Sequence, residues 1–313
     1  MTHISIQHAR RRVRLRDLET LVAVTESGSM RAAAHGLHLS EPAISKAIRE
    51  LEDALGVKLF ERGRRGVSPT AFGEALVRRS RALADELQNA LRELEELADP
   101  EAGEVRLGAN ETLQAGVVAA TAQIQLARHP RMRLVFESGQ SADLMGHFLQ
   151  QRLVDFVVAR PLTWPVPSEL EGEPLFYDQL KVAVGATHPL ARRRKVSLSE
   201  LVQEHWILSR AEVMPHTPIP HAFAAAGLPF PEKVVVSGSL NMRQNMLASG
   251  RFVTAVPHSL LRFAHLKGNF HVLPLEVPSW PMPTMVLRLQ GRSLSPAADS
   301  FIGTLRELSV PLQ

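Results

Sequence analysis

Residues 28–70 read GSMRAAAHGLHLSEPAISKAIRELEDALGVKLFERGRRGVSPT, and this stretch decides the fold of the first part of the chain. It predicts two short helices joined by a tight turn and followed by a hairpin rich in arginine. Ser29 and Ser40 are suited to cap the two helices, because a serine hydroxyl accepts a hydrogen bond from a free backbone N–H at a helix start. Gly36 allows the chain to reverse between the helices, and Gly56 is placed to end the second one.

The second of these helices has two distinct faces. Its apolar residues are Ile44, Ile48, Leu51 and Leu55. At 100° per residue they fall on one narrow stripe, which predicts a face packed into a core. The opposite face is polar and mostly basic, and it lacks bulky apolar side chains, so it suits the major groove of DNA. Helix pairs at this spacing also occur in enzymes; the basic hairpin that follows favours DNA.

Three motifs in this part of the chain carry a family resemblance. They are RAA at 31–33, LSEPAISKAIRELEDALGVKLFER at 39–62 and GVSPTAFGEAL at 66–76. Together they resemble the winged helix–turn–helix of the LysR-type transcriptional regulators, and the rest of the chain matches that family except for the first dozen residues. The resemblance implies a sequence-specific DNA-binding regulator controlled by a small molecule, and not an enzyme.

The resemblance also implies which residues contact DNA, here a double-stranded inverted-repeat promoter site. These residues are Arg31, Ser40, Glu41, Pro42, Ala43, Ser45, Lys46, Arg49, Arg62, Arg64 and Arg65. Arg64 and Arg65 would hold phosphate, or the minor groove, at the wing. Glu41 departs from the family, which commonly has Gln at this position. A carboxylate repels phosphate but can accept a hydrogen bond from a cytosine amino group.

The distribution of charge agrees with a DNA-binding head. The 313 residues are enough for two or three domains and carry a formal net charge of +4. Between Arg10 and Arg81 there are 15 Lys and Arg residues against 9 Asp and Glu residues, a local excess of six positive charges. The remainder of the chain is therefore slightly acidic, as expected for a basic head on a nearly neutral body.

Several protein classes are excluded by composition. The chain has no cysteine, which rules out disulfides, thiolate chemistry and cysteine zinc sites. No apolar run approaches the roughly 18 residues that a membrane span requires. The first residues, MTHISIQHARRRVRLR, are basic without an apolar segment, so they do not resemble a secretory signal. These observations predict a cytoplasmic protein.

Residues 1–13 are expected to form a disordered basic arm. Two interpretations remain open for its charges. They could add contacts to phosphate or to the minor groove, or the arm could be a solvated tail.

A long helix is expected over residues 71–98, capped by Thr70. Apolar residues recur along it at nearly heptad spacing, at Leu76, Leu83, Leu87, Ala90, Leu94 and Leu97. This pattern predicts a two-stranded coiled coil between two copies of the chain. A monomeric amphipathic helix packed on a domain is the alternative. In the family this helix links the domains and pairs two subunits, which implies a homodimer and, by the same resemblance, a homotetramer.

Residues 99–103, DPEAG, are expected to end that helix, and strands then alternate with helices. Strands are predicted at 105–109, 133–136, 156–159, 180–184, 207–209, 234–236, 253–256 and 285–289. Such alternation predicts mostly parallel sheets covered by helices. The expected fold is α/β with an N-terminal all-α winged helix–turn–helix. Its effector domain is expected to consist of two α/β lobes resembling a type 2 periplasmic binding protein.

The expected domain boundaries follow from these elements. Residues 1–70 form the winged helix–turn–helix, 71–98 the linker and dimerisation helix, 104–161 with 270–313 the first effector lobe, and 162–269 the second.

A ligand is expected between the lobes, at the loops where strands lead into helices. Helix N-termini there offer free N–H groups and favour an anion. The candidate residues are Asn110, Thr112, Gln140, Ser141, Arg160, Ser209, His216, Thr217, Ser239 and Asn241. They suit a small polar or anionic effector. The Ser, Thr and Asn residues could equally serve only as helix caps, and Arg160 could be a solvated hinge residue.

Enzyme and metal signatures are missing from the sequence. There is no GxxxxGK[ST], no GxGxxG after a strand, no HExxH and no GxSxG. His216 and His221 are poorly spaced for two metal ligands on one helix face, so neither a metal nor a cofactor is expected. The rival interpretations are a cytoplasmic solute-binding protein or an enzyme on the two-lobe fold, or a regulator that needs no effector. RNA polymerase is a further partner that the resemblance allows.

Overall fold

The computed structural model describes residues 9, 11–63, 66–99, 101–161, 165–215, 217–263, 270–277 and 283–312. The chain forms two compact units, Met1–Leu91 and Arg92–Gln313. Residues 1–8 and 10 of the expected basic arm, the wing residues Arg64 and Arg65, the side chain of Arg62, and His216 lie outside the described residues. The expectation of disorder is wrong for the described part of the arm, because residues 9, 11 and 12 are helical and Ala9 is buried.

Between Leu15 and Pro69, the described residues of the first unit form three helices and a hairpin. They are α1 Leu15–Ser27, α2 Met30–Gly36, α3 Glu41–Leu55, β1 Phe60–Gly63 and β2 Gly66–Pro69. The predicted caps are present: the Ser29 hydroxyl accepts a hydrogen bond from the N–H of Ala32, and Ser40 accepts one from Ala43. The apolar stripe of α3 packs against α1 and α2, with Ile44, Ile48 and Leu51 fully buried. Helix α3 therefore presents its polar face outward.

Two backbone contacts attach the hairpin to this bundle. The carbonyl oxygen of Gly28, which ends α1 with φ +63°, accepts a hydrogen bond from the N–H of Val67 at 3.1 Å. A side chain at Gly66 would bring its Cβ to 2.7 Å from that same oxygen. The hairpin strands pair antiparallel from Phe60 with Pro69 to Gly63 with Gly66.

A single helix, α4 Ala71–Ala98, carries the chain from the first unit into the second. Its first turn is capped by Thr70, whose hydroxyl accepts a hydrogen bond from the N–H of Gly73 at 3.1 Å. Its last turns are held by the second unit. The Arg92 guanidinium lies 3.4 Å from the buried Asp155 carboxylate, and the Glu96 carboxylate accepts a hydrogen bond from the N–H of Ala297 at 3.0 Å.

The second unit contains two five-stranded sheets. Its strands are β3 Glu104–Ala109, β4 Arg133–Ser138, β5 Phe156–Ala159, β6 Leu170–Tyr177, β7 Leu180–Val184, β8 His205–Leu208, β9 Val234–Val236, β10 Phe252–Pro257, β11 His271–Val272 and β12 Pro283–Leu289. The first sheet has the order β4-β3-β5-β12-β6 and the second β11-β7-β10-β8-β9. Three neighbouring strands of each sheet are parallel, and the other two join antiparallel.

The sheets correct two of the expected lobe boundaries. Strand β6 pairs with β12 in the first sheet, although residues from 162 onward were expected in the second lobe. Strand β11 pairs with β7 in the second sheet, although residues from 270 onward were expected in the first. In both cases, the hydrogen bonds to the neighbouring strand decide to which sheet, and so to which lobe, the strand belongs. The first lobe is therefore built around β3, β4, β5, β6 and β12, and the second around the other five strands.

Helices cover both sheets. They are α5 Ala119–Arg128, α6 Pro218–Ala225, α7 Leu240–Ala248, α8 His258–Phe263 and α9 Pro296–Ser309. Shorter helical segments are Glu111–Leu113, Gln114–Val118, Ser141–Asp143, Leu144–Leu149, Pro189–Arg192, Leu198–Leu201 and Val310–Leu312. The helical region that begins at Ser141 ends at Leu149.

Each lobe has its own apolar core. The first contains the fully buried Phe156 and Phe301, and the second contains Trp206 and Phe223. The Trp206 indole N–H donates to the carbonyl of Leu201 at 3.0 Å, and the side chain is part of the core of the second lobe. Among the described helices, none is both long and apolar enough to cross a bilayer.

Candidate functional site

The exposed face of α3 contains the residues predicted to read DNA. Ser40, Glu41, Pro42, Ala43, Lys46 and Arg49 are exposed, as is Arg31 on α2, and Ser45 is half-buried. Because Ile44 and Ile48 are buried on the other side, this face is fixed outward by packing rather than by its own charges. The side chains of Ala43 and Ser45 on this face are short, which leaves room for the edges of DNA bases.

The two cations on this face make weak contacts within the helix. The Arg49 Nε donates to the carbonyl of Ser45 at 3.1 Å, and the Lys46 ammonium lies 3.7 Å from the exposed Glu50 carboxylate. A solvent-exposed pair of this kind contributes at most about 1 kcal/mol. Both cations can therefore turn toward phosphate at small cost.

Buried Glu52 joins the inner side of α3 to the hairpin. Its carboxylate accepts hydrogen bonds from the N–H groups of Leu59 at 2.8 Å and Phe60 at 3.3 Å, and it lies 2.6 Å from the Lys58 ammonium. Glu52 was not among the predicted functional residues. The sequence feature that could have indicated Glu52 is an acidic residue within the apolar stripe of α3.

An exposed strip of apolar residues runs along α4. Leu83, Leu87, Leu94 and Leu97 are between 44% and 73% exposed, and Ala90 between them is exposed too. Leu76 differs from the expectation for this strip, because it is half-buried and packs against the core of the first unit. Leu91, 53% exposed, lies beside the strip and was not predicted.

A cavity of about 440 Å³ lies between the two lobes of the second unit. Eight of the ten predicted effector residues line it: Asn110, Thr112, Gln140, Ser141, Arg160, Ser209, Thr217 and Ser239. Asn241 does not line it; it lies one residue into α7 with an exposed side chain. The loops converge because they all follow strands whose carboxyl ends face the same cleft.

Two of these polar residues, Asn110 and Ser239, also cap helices, whereas their contact with a ligand stays a prediction. Asn110 accepts hydrogen bonds from the N–H of Leu113 at 3.0 Å and from the Thr112 hydroxyl at 2.7 Å. Ser239 accepts one from the N–H of Met242 at 3.3 Å.

Four charged residues that line the cavity were missing from the predicted set: Glu111, Asp178, Glu212 and Arg243. Two of them form a closed pair. The buried Arg243 lies 3.0 Å from the Glu212 carboxylate and donates to the carbonyl of Ala255 at 2.6 Å. Glu212 in turn accepts a hydrogen bond from the N–H of Ser209 at 2.6 Å. Arg243 therefore holds the loop after β8, although its buried Nε has no hydrogen-bond partner.

Arg160 is less fully engaged. Its guanidinium lies 3.9 Å from the Asp178 carboxylate, its Nε is buried without a hydrogen-bond partner, and 31% of its side chain is exposed. Burial lowers the pKa of Arg160, while the nearby carboxylates of Asp178 and Glu212 raise it. A guanidinium with an unfilled donor at the wall of a cavity suits an anionic ligand group.

Asp178 also joins two segments that pass between the lobes. It lies between β6 of the first sheet and β7 of the second, and it accepts hydrogen bonds from both the N–H and the hydroxyl of Ser259 at the start of α8. The adjacent carbonyl of Gln179 accepts one from the N–H of His258 at 2.8 Å. Asp178 is therefore a hinge residue that touches Arg160.

Comparisons with known proteins agree with this arrangement. Residues 15–74 match the bacterial regulatory helix-turn-helix protein of the lysR family, and residues 98–309 match the LysR substrate binding domain. The HTH-type transcriptional regulator GbpR of Azospirillum brasilense is 29% identical over 299 residues, which are 95% of this chain and 87% of that protein. GalR of Pseudomonas putida, also an HTH-type transcriptional regulator, is 29% identical over 94% of this chain and 73% of its own length.

A solved structure shares the fold. A cysteine-to-aspartate variant of full-length OxyR from Pseudomonas aeruginosa superposes with a TM-score of 0.61, covers 95% of this chain and 94% of its own, and is 24% identical. The second family match alone spans more than half of the chain. The expectations of a winged helix–turn–helix and of an α/β effector domain are confirmed, and the chain belongs to the LysR family of transcriptional regulators, as a DNA-binding, effector-responsive regulator rather than an enzyme.

Proposed function

We propose that this regulator acts as a homodimer that reads an inverted-repeat site, with two copies of α3 in successive major grooves. The strip of exposed leucines on α4 is the observation that carries this proposal. Four leucines at heptad spacing leave a long apolar face in water, and pairing with the same face of a second copy buries it. A two-fold axis between the copies then matches the symmetry of the operator. We extend the same proposal in three ways: two such dimers associate into a tetramer, the regulator contacts RNA polymerase, and it resides in the cytoplasm.

We propose that the 440 Å³ cavity takes the effector, a small polar molecule with an anionic group. Arg160 supports this choice because it lines the cavity with 31% of its side chain exposed and lies 3.9 Å from Asp178, beyond hydrogen-bond distance. Contact of an anionic group with Arg160 would weaken the hold of Arg160 on Asp178, and Asp178 joins the two hinge segments. Ligand occupancy would thereby alter the angle between the lobes. Thiol oxidation cannot be the stimulus, because the chain has no cysteine.

Thermal unfolding of the full chain in a panel of metabolites tests the effector proposal. A true effector should raise the midpoint of the wild type, and the Arg160→Gln variant should lose most of that shift. Arg194→Gln, which removes an exposed charge outside the cavity, is the matched control and should respond as the wild type does. If the panel contains small acids that stabilise wild type and Arg160→Gln equally, the assignment of Arg160 is wrong.

A further inference from the structure

One contact beside the cavity joins the two lobes directly. The carboxylate of Glu111, which follows β3 in the first lobe, accepts a hydrogen bond from the backbone N–H of Leu240. Leu240 is the first residue of α7, a nine-residue helix of the second lobe. The two residues are 129 positions apart in the chain, so the contact depends entirely on how the lobes face each other.

A second close approach lies beside it. The side-chain amide of Gln140, also from the first lobe, passes so near to Gly238 that a Cβ there would lie 3.0 Å from its Nε2. Glycine at 238 thus makes room for Gln140. The loop that leads into α7 is therefore met at two points by the opposite lobe, while Asp178 and Ser259 join the lobes at the hinge.

The start of α7 is a place that favours negative charge. The first backbone N–H groups of a helix have no partner within the helix, and the helix dipole adds partial positive charge there. Ser239 satisfies the N–H of Met242, and Glu111 satisfies that of Leu240. The protein thus supplies its own anion at this end of the cavity.

We propose that Glu111 is a specificity-determining residue, a built-in anion that excludes a carboxylate or phosphate group from the N-terminus of α7. A ligand anion at this end would lose the N–H of Leu240 and meet the Glu111 carboxylate. The anionic group of an effector must instead face Arg160, with uncharged or hydrogen-bond-donating groups toward Glu111. This orientation rests on the proposed function of the cavity, whereas the contact between Glu111 and Leu240 does not.

Amide hydrogen exchange of the full-length protein tests the proposal through peptides that cover residues 237–243. Glu111→Ala should speed exchange of the Leu240 amide about tenfold, the loss expected for one charge-assisted hydrogen bond. Glu111→Gln keeps an acceptor and should give a smaller change. Glu169→Gln removes an exposed carboxylate of the same lobe that does not line the cavity, and it should leave the exchange unchanged.

Acetate supplies the decisive probe. At constant ionic strength, replacing chloride with acetate should restore slow exchange in Glu111→Ala, because the small carboxylate fills the vacated position. It should have no effect on the wild type. Unchanged exchange in Glu111→Ala, or equal protection of the wild type by acetate, would overturn the proposal. Because this readout needs neither operator nor effector, failure of the proposed function remains distinguishable from failure of the role of Glu111.

Discussion

Buried Glu52 is the residue on which the junction between helix α3 and the hairpin depends. Its carboxylate accepts hydrogen bonds from two backbone N–H groups, those of Leu59 and Phe60, where the chain enters the hairpin. Replacement by Ala would leave both donors unsatisfied in a buried position. We expect Glu52→Ala to lower the free energy of unfolding of the first unit by about 2–4 kcal/mol. Calorimetry of the full chain would record this as an earlier transition.

Glu50 provides the matched control for that change. It lies two residues away on the same helix, is exposed, and contacts Lys46 at 3.7 Å. Glu50→Ala should alter the unfolding free energy by no more than about 0.5 kcal/mol. Similar losses in the two variants would mean that the hydrogen bonds of Glu52 contribute little.

Residues of the reading face and of the wing should differ in their effect on DNA binding. Glu41→Gln and Ser45→Ala should change which sequence is preferred, because we propose that both residues face the edges of the bases. Arg64→Ala should weaken binding to all sequences and reduce the salt slope by about one unit, as expected for a lost phosphate contact. Gel-shift titrations on specific and random duplexes at two salt concentrations measure both effects. Equal loss on both duplexes for every variant would contradict the assignment of roles.

At the scale of the element, α4 has two different functions along its length. Leu76 packs into the first unit, whereas Leu87 and Leu94 remain exposed. We expect the double variant Leu87→Glu and Leu94→Glu to sediment as a monomer at concentrations where the wild type is a dimer, because four carboxylates would face one another in the paired strip. Gln88→Glu adds one exposed charge off the strip and should leave the dimer intact. A dimeric double variant would place the interface elsewhere.

The short helical turn Pro189–Arg192 gives the second lobe a dependence on pH. Its cap is the buried His188, whose Nδ1 accepts a hydrogen bond from the N–H of Leu190 at 3.1 Å. Burial lowers the pKa of His188, and Glu204 opposes that shift only in part. The unfolded chain therefore binds the proton more tightly, and stability falls as pH drops below about 6.5.

Tryptophan fluorescence of the second lobe measures this dependence. The thermal midpoint should decrease between about pH 7.5 and 5.5 in the wild type. His188→Asn, which keeps a capping acceptor but cannot titrate, should flatten that decrease. A wild-type midpoint that rises on acidification would show that the sign is wrong.

The elements that could be predicted well from the sequence are those governed by local rules. The caps Ser29, Ser40 and Thr70 and the stripe of α3 follow from side-chain chemistry and helical periodicity alone. Strand β6 was missed because its sequence, LEGEPLFY, interrupts the alternation with Gly172 and Pro174. Proline is tolerated there because β6 is an edge strand, and edge position is a property of the assembled sheet.

The residues that line the cavity also divide into those that local sequence rules predict and those that they do not. Its hydroxyl and amide residues were predictable, because they follow strands and precede helices. Asp178, Glu212 and Arg243 were not, because their placement depends on pairings between distant segments, such as Asp178 with Ser259. Asn241 was assigned to the cavity on proximity to Ser239, but one further residue along α7 turns the side chain to solvent.

At the scale of the whole molecule, a helix–turn–helix unit is joined to an effector domain whose two lobes line one cavity. Helix α4 is the covalent route between the two functions, since it begins at the winged unit and its last turns are held by contacts of Arg92 and Glu96 with the first lobe. We propose that a change in the effector domain acts on DNA through this helix or through contacts between subunits.

Selection of random duplexes by the full-length protein tests the two-fold reading of DNA most directly. The wild type should enrich inverted repeats whose half-sites are about 10 base pairs apart, centre to centre, or a multiple of that distance. The double variant Leu87→Glu and Leu94→Glu should enrich at most a single half-site. Enrichment of asymmetric sites by the wild type, or of unchanged inverted repeats by the double variant, would contradict a dimer paired through α4.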